Sequence, residues 1–168
     1  APYPEKFIVP FIQTVQDRIT LEVYRGCIRG CRFCQAGAVF RPVREKSPEV
    51  LCEQAKKLAD NTGYGEMTLS SLSISDYSCI SQLTDMLLEW TNDRKISLSL
   101  PSLRVDSFTK ELMDKISTVR TGTLTFAPEA GTQRLRDAIN KNVTYDDVMK
   151  TVRMSFSGGW TSVKIYFM

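Results

Sequence analysis

Three cysteines are concentrated in one short segment of the chain, "RGCIRGCRFCQAG" at residues 25–37. Cys27, Cys31 and Cys34 follow the spacing C-x3-C-x2-C, and glycines lie on both sides of them. Glycines let backbone amides turn toward a ligand, and such amides stabilise sulfur that carries negative charge. The segment therefore predicts a metal or cluster site held by three thiolates.

The identity of the bound group depends on the remaining ligand. Structural zinc is held by four ligands, usually cysteine or histidine, and the chain contains no histidine. Cys52 and Cys79 lie in or beside predicted helices, and we expect both to be structural, since free cysteine is commonly buried. A carboxylate or an exogenous ligand would still complete a zinc site. Iron–sulfur ligation explains the set better, because a cubane with three protein ligands leaves one iron open.

The composition excludes several other classes of protein. The 168 residues, 42% hydrophobic and 24% charged, are typical of a globular domain. No apolar run approaches the ~20 residues of a membrane helix, and no secretory signal pattern is present. Five cysteines are too few, and odd in number, for a secreted disulfide framework, so we expect a cytoplasmic protein without a membrane partner. Without histidine, a serine or cysteine nucleophile cannot be paired with a histidine base.

Strand and helix patterns alternate after an extended, proline-punctuated lead-in at residues 1–17. The predicted strands are residues 19–23, 66–72, 95–100, 123–126 and 162–168. The helices between them are predicted from caps and apolar faces at residues 47–63, 80–90, 108–116, 135–139 and 144–158. This alternation with short connections implies parallel strands. Five units are too few for a closed barrel of ~250 residues, so we expect an α/β partial barrel over residues 18–168, truncated after its fifth strand.

Four loops follow the carboxyl ends of the first four predicted strands, and they are the least generic stretches of the chain. They read "GCIRGCRFCQAG", "SLSISDYS", "PSLRVDS" and "APEAGT". Ligands of parallel α/β folds bind at this end of the strands. We therefore expect one site on one rim, with the cysteine segment as part of it.

The cysteine pattern directly after the first strand, with Phe33 before the last cysteine, resembles the radical S-adenosylmethionine (SAM) superfamily. "RPVRE", "LSSLSISDYS", "LPSLRVDSF", "TFAPEAGTQRLRDAINK" and "GWTSVKIYFM" are similar to an uncharacterised subgroup often linked to a cobalamin-binding-like domain. The resemblance implies a partial barrel of the radical SAM type, in which Cys27, Cys31 and Cys34 hold a [4Fe-4S] cluster and SAM chelates the fourth iron. It implies reductive cleavage of SAM to a 5′-deoxyadenosyl radical that attacks a substrate, here unknown. Cobalamin is expected only in a domain outside this chain.

The resemblance also implies which residues contact SAM. It places Ser70, Ser71 and Ser73 near the methionine amine, although the glycine-rich form common elsewhere in the superfamily is missing. The alternative is that these serines only satisfy the end of a strand. Glu129 of "PEAG" resembles a glutamate that faces the ribose or methionine part of SAM.

Two arginines are candidates for holding the SAM carboxylate. Arg104 would form a bidentate clamp, and its alternative role is an ion pair with Asp106 or Glu129. Arg134 is the weaker candidate for the same clamp. Together with Phe33, these residues complete the predicted cofactor-binding set.

The charge distribution bears on partners. Residues 25–46 contain six basic side chains against Glu45 alone, whereas the whole chain has a formal net charge of +3. We favour the interpretation that the arginines balance the charge of the thiolates. Docking of a phosphate-bearing substrate such as RNA is less favoured, because no aromatic stacking surface is evident. The resemblance implies an electron donor such as flavodoxin or ferredoxin, and the apolar edge of the last strand predicts self-association.

Three functions remain open on the sequence. The favoured one is a radical SAM enzyme of the iron–sulfur oxidoreductase type. The alternatives are an iron–sulfur electron-transfer module without radical initiation and a zinc-stabilised nucleic-acid-binding domain.

Overall fold

The computed structural model of the protein describes residues 3–101, 103–107, 109–117 and 124–168. The strands in this part of the chain are β1 (Ile19–Glu22), β2 (Tyr24–Arg25), β3 (Arg44–Glu45), β4 (Glu66–Ser70), β5 (Ser97–Ser99), β6 (Leu124–Glu129) and β7 (Val163–Phe167). The α-helices are α1 (Ala36–Val39), α2 (Pro48–Thr62), α3 (Ile80–Thr91), α4 (Lys110–Ser117), α5 (Gln133–Ala138) and α6 (Tyr145–Ser157). Two 3₁₀ turns, Ile74–Asp76 and Val105–Ser107, follow β4 and β5.

Five strands run parallel, as the alternation predicts. β4 lies between β1 and β5 in one sheet, with Ile19 opposite Met67 and Glu66 opposite Ser97. β6 and β7 form a second parallel pair, in which Leu124 lies opposite Val163. Between the described residues of β5 and β6 there is no ladder, so the predicted sheet is present in two parts.

The two faces of the first sheet differ in polarity because side chains of a strand point alternately to opposite faces. The face toward the helices is apolar and buried, and it consists of Ile19, Leu21, Met67, Leu69 and Leu98. Helices α2 and α3 cover it with Leu51, Leu58, Leu83 and Leu87, all fully buried. The opposite face carries Thr20, Glu22, Thr68, Ser70 and Ser99. Burial of the apolar face against the helices stabilises the fold. It also holds the strands in place, so the loops at their carboxyl ends start from fixed positions.

The helix boundaries follow the predicted caps. The Ser47 hydroxyl accepts a hydrogen bond from Val50 N at 3.5 Å, and Gly63 ends α2 in the left-handed conformation with φ 69°. Thr144 and Asp147 form the predicted capping box of α6. These caps confirm the start of both helices.

The predicted apolar faces are partly wrong. Val50 and Phe156, which the patterns place inward, are 45% and 50% exposed. On α6 the buried positions are Thr151 and Ser155 instead, and their hydroxyls donate to Val105 O and Thr151 O. Internal hydrogen bonds let small polar residues occupy a buried helix face. Phe108 and the side chains of Leu112 and Ile116, predicted for the third helix, lie outside the described residues.

The antiparallel ladder of β2 and β3 is absent from the predicted elements. It pairs Tyr24 with Glu45 and Arg25 with Arg44, so it joins the chain just before the cysteines to the chain that follows them. Each strand has only two residues, too few for a period-two pattern to reveal it. The ladder turns the cysteine segment into a closed loop at the end of β1.

Residues 3–18 form no helix or strand. The lead-in is attached by the Tyr3 hydroxyl, which donates to Thr20 O at 2.7 Å, and by an ion pair of Glu5 with Lys57. At the other end, the side chains of Phe167 and Met168 are exposed, and self-association through β7 stays a prediction. Within the described ranges, the helices are too short or too polar to cross a membrane.

Candidate functional site

The cysteine segment borders a cavity of about 270 Å³ at the carboxyl ends of the strands. Residues of all four predicted rim loops contribute to its wall. Seven of the ten predicted site residues line it: Cys27, Cys31, Phe33, Cys34, Ser73, Arg104 and Glu129. The structure therefore brings the three thiols and four of the candidate SAM contacts to one cavity.

The cysteine loop is fixed by close backbone contacts. The amide of Arg29 donates to Cys27 Sγ at 3.4 Å, which is the amide-to-sulfur orientation that the glycine-rich sequence predicts. Gly26 has φ +101°, and a Cβ added there would lie 2.8 Å from Phe40 O. A Cβ added to Gly37 would lie 2.6 Å from Arg29 O. Both glycines are therefore required by close approach of the backbone.

The outer part of the loop is attached to the end of α5. Arg32 N donates to Ile139 O at 2.9 Å, and the Arg32 guanidinium donates to Ala138 O. Asn140 Nδ2 donates to Gly30 O at 2.8 Å. The last carbonyls of a helix have no partner within the helix, so a neighbouring donor satisfies them. These contacts tie the first rim loop to the carboxyl end of α5.

An ion-pair network joins the first three rim loops. Arg29 Nε donates to Asp76 Oδ2 at 2.9 Å, and Arg29 Nη1 donates to Asp106 Oδ2 at 3.2 Å. The Asp76 side chain is only 6% exposed. Burial raises the pKa of Asp76, but hydrogen bonds from Arg29 and Ser73, together with the charges of Arg29 and Arg104, outweigh it and leave that pKa below its usual value. The hydrogen bonds of Arg29 to Asp76 raise the pKa of Arg29. Both groups are therefore charged and paired at neutral pH.

Arg104 belongs to this network. Its Nε donates to Asp106 Oδ1 at 2.9 Å, and its Nη2 donates to Lys141 O at 2.9 Å. The ion pair with Asp106, foreseen as the alternative to a SAM clamp, is thus formed. Among the six basic residues of 25–46, Arg29 alone lines the cavity, and the other cations of its wall, Arg104 and Lys141, come from outside that segment.

Glu129 forms an ion pair with Lys141 rather than with Arg104. Its Oε1 lies 3.2 Å from Lys141 Nζ, and this Nζ is 5.9 Å from the centre of the Phe33 ring. Glu129 also has a left-handed backbone, with φ 67°, beside a register irregularity of β6 and β7. A non-glycine residue in this conformation costs free energy and is frequent at functional sites. Lys141 had no signal in the sequence, because it lies outside the four rim loops.

Three predicted site residues lie elsewhere. Ser70 and Ser71 line a neighbouring cavity rather than the one with the cysteines. Arg134 is exposed on α5 and lines neither cavity. Its neighbour Arg136 is 4% exposed and donates to Val143 O at 2.8 Å and Ala130 O at 2.9 Å. On α5, Arg136 rather than Arg134 therefore faces the interior. Its hydrogen bond to Ala130 O holds the "PEAG" loop in place.

The neighbouring cavity has a volume of about 450 Å³ and is bounded by the β2–β3 ladder. Tyr24 lies in its wall, and the Tyr24 hydroxyl donates to the carbonyl of Ser73, which lines the cysteine cavity. Burial raises the pKa of Tyr24. Leu72 lines both cavities. The two cavities are therefore adjacent and share a wall.

The arrangement of the thiols bears on the kind of metal site. All five cysteines are free. In the described ranges, no three His, Cys, Asp or Glu side chains are arranged to hold a single metal ion. Four thiolates on one tetrahedral zinc would lie roughly 4 Å apart, whereas thiolates on separate irons of a cubane need not converge on one point. Cys52 is buried with Sγ 3.8 Å from Met86 O, and Cys79 precedes α3.

Comparison with known sequences gives one family. The model of the radical SAM superfamily matches residues 21–168. The uncharacterized protein MJ0966 of Methanocaldococcus jannaschii is 32% identical over 175 residues, which cover 99% of this chain and 38% of that protein. The putative methylthiotransferase MJ0865 of the same organism is 22% identical over 149 residues, covering 82% of this chain and 32% of that protein. The chain thus spans about a third of the length of these relatives.

A solved structure shows the same fold. The radical SAM methyltransferase TsrM from Kitasatospora setae superposes with a TM-score of 0.68 at 11% identity, covering 89% of this chain and 30% of TsrM. TsrM has been solved with cobalamin and a [4Fe-4S] cluster bound, and with tryptophan and a SAM analogue bound. At this identity the likeness concerns the fold alone. The fold is an α/β, parallel-stranded partial barrel of the radical SAM type.

Proposed function

The chain belongs to the radical SAM superfamily, and on that premise we propose that it is an enzyme core that holds a [4Fe-4S] cluster and reductively cleaves SAM. Cys27, Cys31 and Cys34 are the proposed cluster ligands. The observation that carries the proposal is that these thiols line one cavity together with Glu129 and Arg104, which come from other loops. The substrate attacked by the 5′-deoxyadenosyl radical is not specified by these residues.

The donor set fits such a cluster. Three free thiols on one glycine-rich loop match a cubane with three protein ligands, and such a cubane keeps one iron open for a further ligand. The backbone amide at Cys27 Sγ favours the thiolate form, because an N–H donor stabilises negative charge on sulfur. When bound, the cluster would supply the electron that cleaves the sulfonium of SAM.

The residues beside the thiols are suited to binding the rest of SAM. The Glu129 carboxylate is held at the wall by Lys141, where it would accept hydrogen bonds from ribose hydroxyls or the methionine amine. Arg104 already shares its guanidinium with Asp106, so its proposed role is to present a remaining N–H to the SAM carboxylate. Phe33 and Ser73 complete the wall. Ser70, Ser71 and Arg134 have no role in this proposal.

The cavity itself favours the enzyme over an electron-transfer module. A module that only passes electrons needs no space next to the open iron, whereas this loop borders about 270 Å³ of it. The proposal places the protein in a reducing cytoplasm, with a flavodoxin or ferredoxin as electron donor. Cobalamin is proposed only for a domain outside this chain, since the chain spans about a third of its relatives.

Anaerobic reconstitution with iron and sulfide tests the ligand assignment. We expect the absorbance and the iron and sulfide content of one cubane per chain, lost when Cys27, Cys31 or Cys34 is replaced by alanine. Cys52→Ala is the matched control, because Cys52 is buried in the core away from the cavity. A cluster that survives the loop variants, or that is lost in the control, would show that the ligands are assigned wrongly. Stoichiometric zinc instead of iron would favour the zinc-stabilised domain.

A further inference from the structure

The β2–β3 ladder places two cations directly opposite each other. Arg25 and Arg44 are register partners, and like charges at directly opposite positions destabilise an antiparallel pair. Arg25 Nε lies 2.9 Å from both carboxylate oxygens of Glu22. The Arg44 side chain has no hydrogen bond or ion pair with any residue that the structure describes, and the Glu45 carboxylate accepts a hydrogen bond from Ser78 N. The ladder's charged side chains are Arg25, Arg44 and Glu45, and a bond from neutral Ser78 leaves the Glu45 charge in place, so the ladder carries a net charge of one positive unit.

A third cation lies close to this pair. Lys46 Nζ donates to Glu22 O at 2.7 Å. Burial lowers the pKa of Lys46, the Glu22 carboxylate opposes this shift, and Arg25 adds to it. Glu22 is the only carboxylate in the described wall of the cavity, and it already pairs with Arg25. Without a ligand, the three cations Arg25, Arg44 and Lys46 thus outnumber the two carboxylates Glu22 and Glu45.

Both arginines line the second cavity, and the shape of that cavity is suited to a small molecule. Its volume of about 450 Å³ lies within the ordinary range of ligand pockets. Its wall combines the arginines with aromatic rings of Tyr24 and Phe40, and Phe40 is 53% exposed. Leu72 in the shared wall connects this cavity to the one with the cysteines.

We propose that the second cavity binds the anionic group of a small substrate, a phosphate or a carboxylate, between Arg25 and Arg44. Guanidinium groups bind both anions in a bidentate manner, and the anion relieves the repulsion between the two arginines. An apolar or aromatic part of the ligand packs on Phe40 and Tyr24. As a substrate site the inference rests on the proposed function, since the remainder of the molecule then extends past Leu72 toward the cysteine cavity.

A small ligand suits this cavity better than RNA does. The tyrosine of the cavity is buried, and its hydroxyl is bonded to the backbone, so it offers no platform for stacking of successive bases. The probes are phenyl phosphate and benzoate, which separate the two anions, and neutral benzyl alcohol. Binding is measured by calorimetry and by thermal unfolding, on the reconstituted chain and on the chain without iron.

We expect phenyl phosphate or benzoate to bind and to raise the melting temperature, whereas benzyl alcohol does neither. Arg44→Gln should weaken binding at least about tenfold, because a charge-assisted hydrogen bond is lost. The same variant should raise the melting temperature of the ligand-free chain, because the repulsion disappears. Arg153→Gln, an exposed arginine on α6, is the control and should change neither quantity. A merely structural Arg44 would lower the melting temperature and leave binding of the probes unaffected.

The outcomes separate this inference from the proposed function. Probe binding by the iron-free chain, with failure of cluster assembly, would uphold the anion site and refute the enzyme. Cluster assembly without binding of either anion would overturn the anion site alone. Binding of a short RNA with an affinity that Arg44→Gln leaves unchanged, and no binding of the small probes, would also overturn it.

Discussion

The two adjacent cavities differ in how their charges are satisfied. In the cysteine cavity each charged side chain of the wall has a partner of opposite sign: Arg29 and Arg104 pair with aspartates, and Glu129 pairs with Lys141. In the second cavity Arg25 pairs with Glu22, but Arg44 faces Arg25 across the ladder and has no side-chain partner among the described residues. The first is organised by the protein alone, whereas the second is balanced only when an anion is added. Removing a paired charge should therefore destabilise the first cavity, whereas removing the Arg44 charge should stabilise the second.

The largest effect should come from removing Asp76. Asp76→Ala leaves the Arg29 side chain, which is 25% exposed, with Asp106 as its remaining ion-pair partner. Breaking a mostly buried ion pair in this way should lower the free energy of unfolding by about 2–3 kcal/mol. The control is Asp60→Ala, which breaks a surface ion pair between Asp60, 58% exposed, and Arg94, 48% exposed. This variant should lower the free energy of unfolding by less than about 1 kcal/mol. Urea unfolding measures both. Equal losses in the two variants would show that the rim network is not the stabilising element.

The same pair gives a pH dependence with a defined sign. The pKa of Asp76 is lowered in the folded protein, so its contribution to stability is present above the unfolded value near ~3.9 and is lost as the pH falls through the folded value. The difference in unfolding free energy between the wild type and Asp76→Asn should therefore be full at pH 7 and shrink below pH ~4. A difference that stays constant down to pH 2 would mean that Asp76 does not titrate in this way.

The charge pairing of Glu129 predicts a smaller effect, on binding rather than on folding. Glu129→Ala should weaken the affinity of the reconstituted chain for SAM by about tenfold, the loss expected when a charged hydrogen-bond partner is removed. Arg134→Ala is the matched control, because Arg134 is exposed and lines neither cavity. Its affinity should change less than about twofold, as measured by equilibrium dialysis. If Arg134→Ala weakened the affinity for SAM more than Glu129→Ala does, the SAM site would lie nearer to α5.

The smallest effect concerns the backbone at Glu129. Its φ of 67° disfavours any side chain, so Glu129→Gly should be more stable than Glu129→Ala by about 1 kcal/mol, although both lose the carboxylate. Thermal unfolding of the two variants, side by side, measures this difference. Equal stability would mean that the backbone relaxes when the contact with Lys141 is removed.

The sequence predicted what depends on periodicity and on caps. The five parallel strands and the caps at Ser47 and Thr144 follow from local patterns, and the rule for strand ends placed the thiols beside Glu129. The sequence offered the local pair of Arg104 with Asp106 as an alternative. It could not give a pair such as Glu129 with Lys141, because that pair depends on how distant loops meet in space. Asp76 lies in the second rim loop, so its position in the sequence was sufficient to predict that it lies near the cysteines.

Other differences have a physical origin in weak local signals. The β2–β3 ladder is too short to produce an alternating pattern, so neither the opposed arginines nor the second cavity could be anticipated. Ser70 was expected at the SAM amine, but it lies at the end of β4 on the wall of the second cavity. Arg134 and Arg136 differ only in helical phase, which a six-residue helix does not define from its sequence.

The measurement that tests the central claim most directly is the electron paramagnetic resonance spectrum of the reduced, reconstituted chain with and without SAM. A cluster held by Cys27, Cys31 and Cys34 with one open iron predicts a changed spectrum at saturating SAM. The change should require a higher SAM concentration in Glu129→Ala, with the cluster content unaltered. A cubane whose spectrum is the same with and without saturating SAM would contradict the account and favour an electron-transfer module.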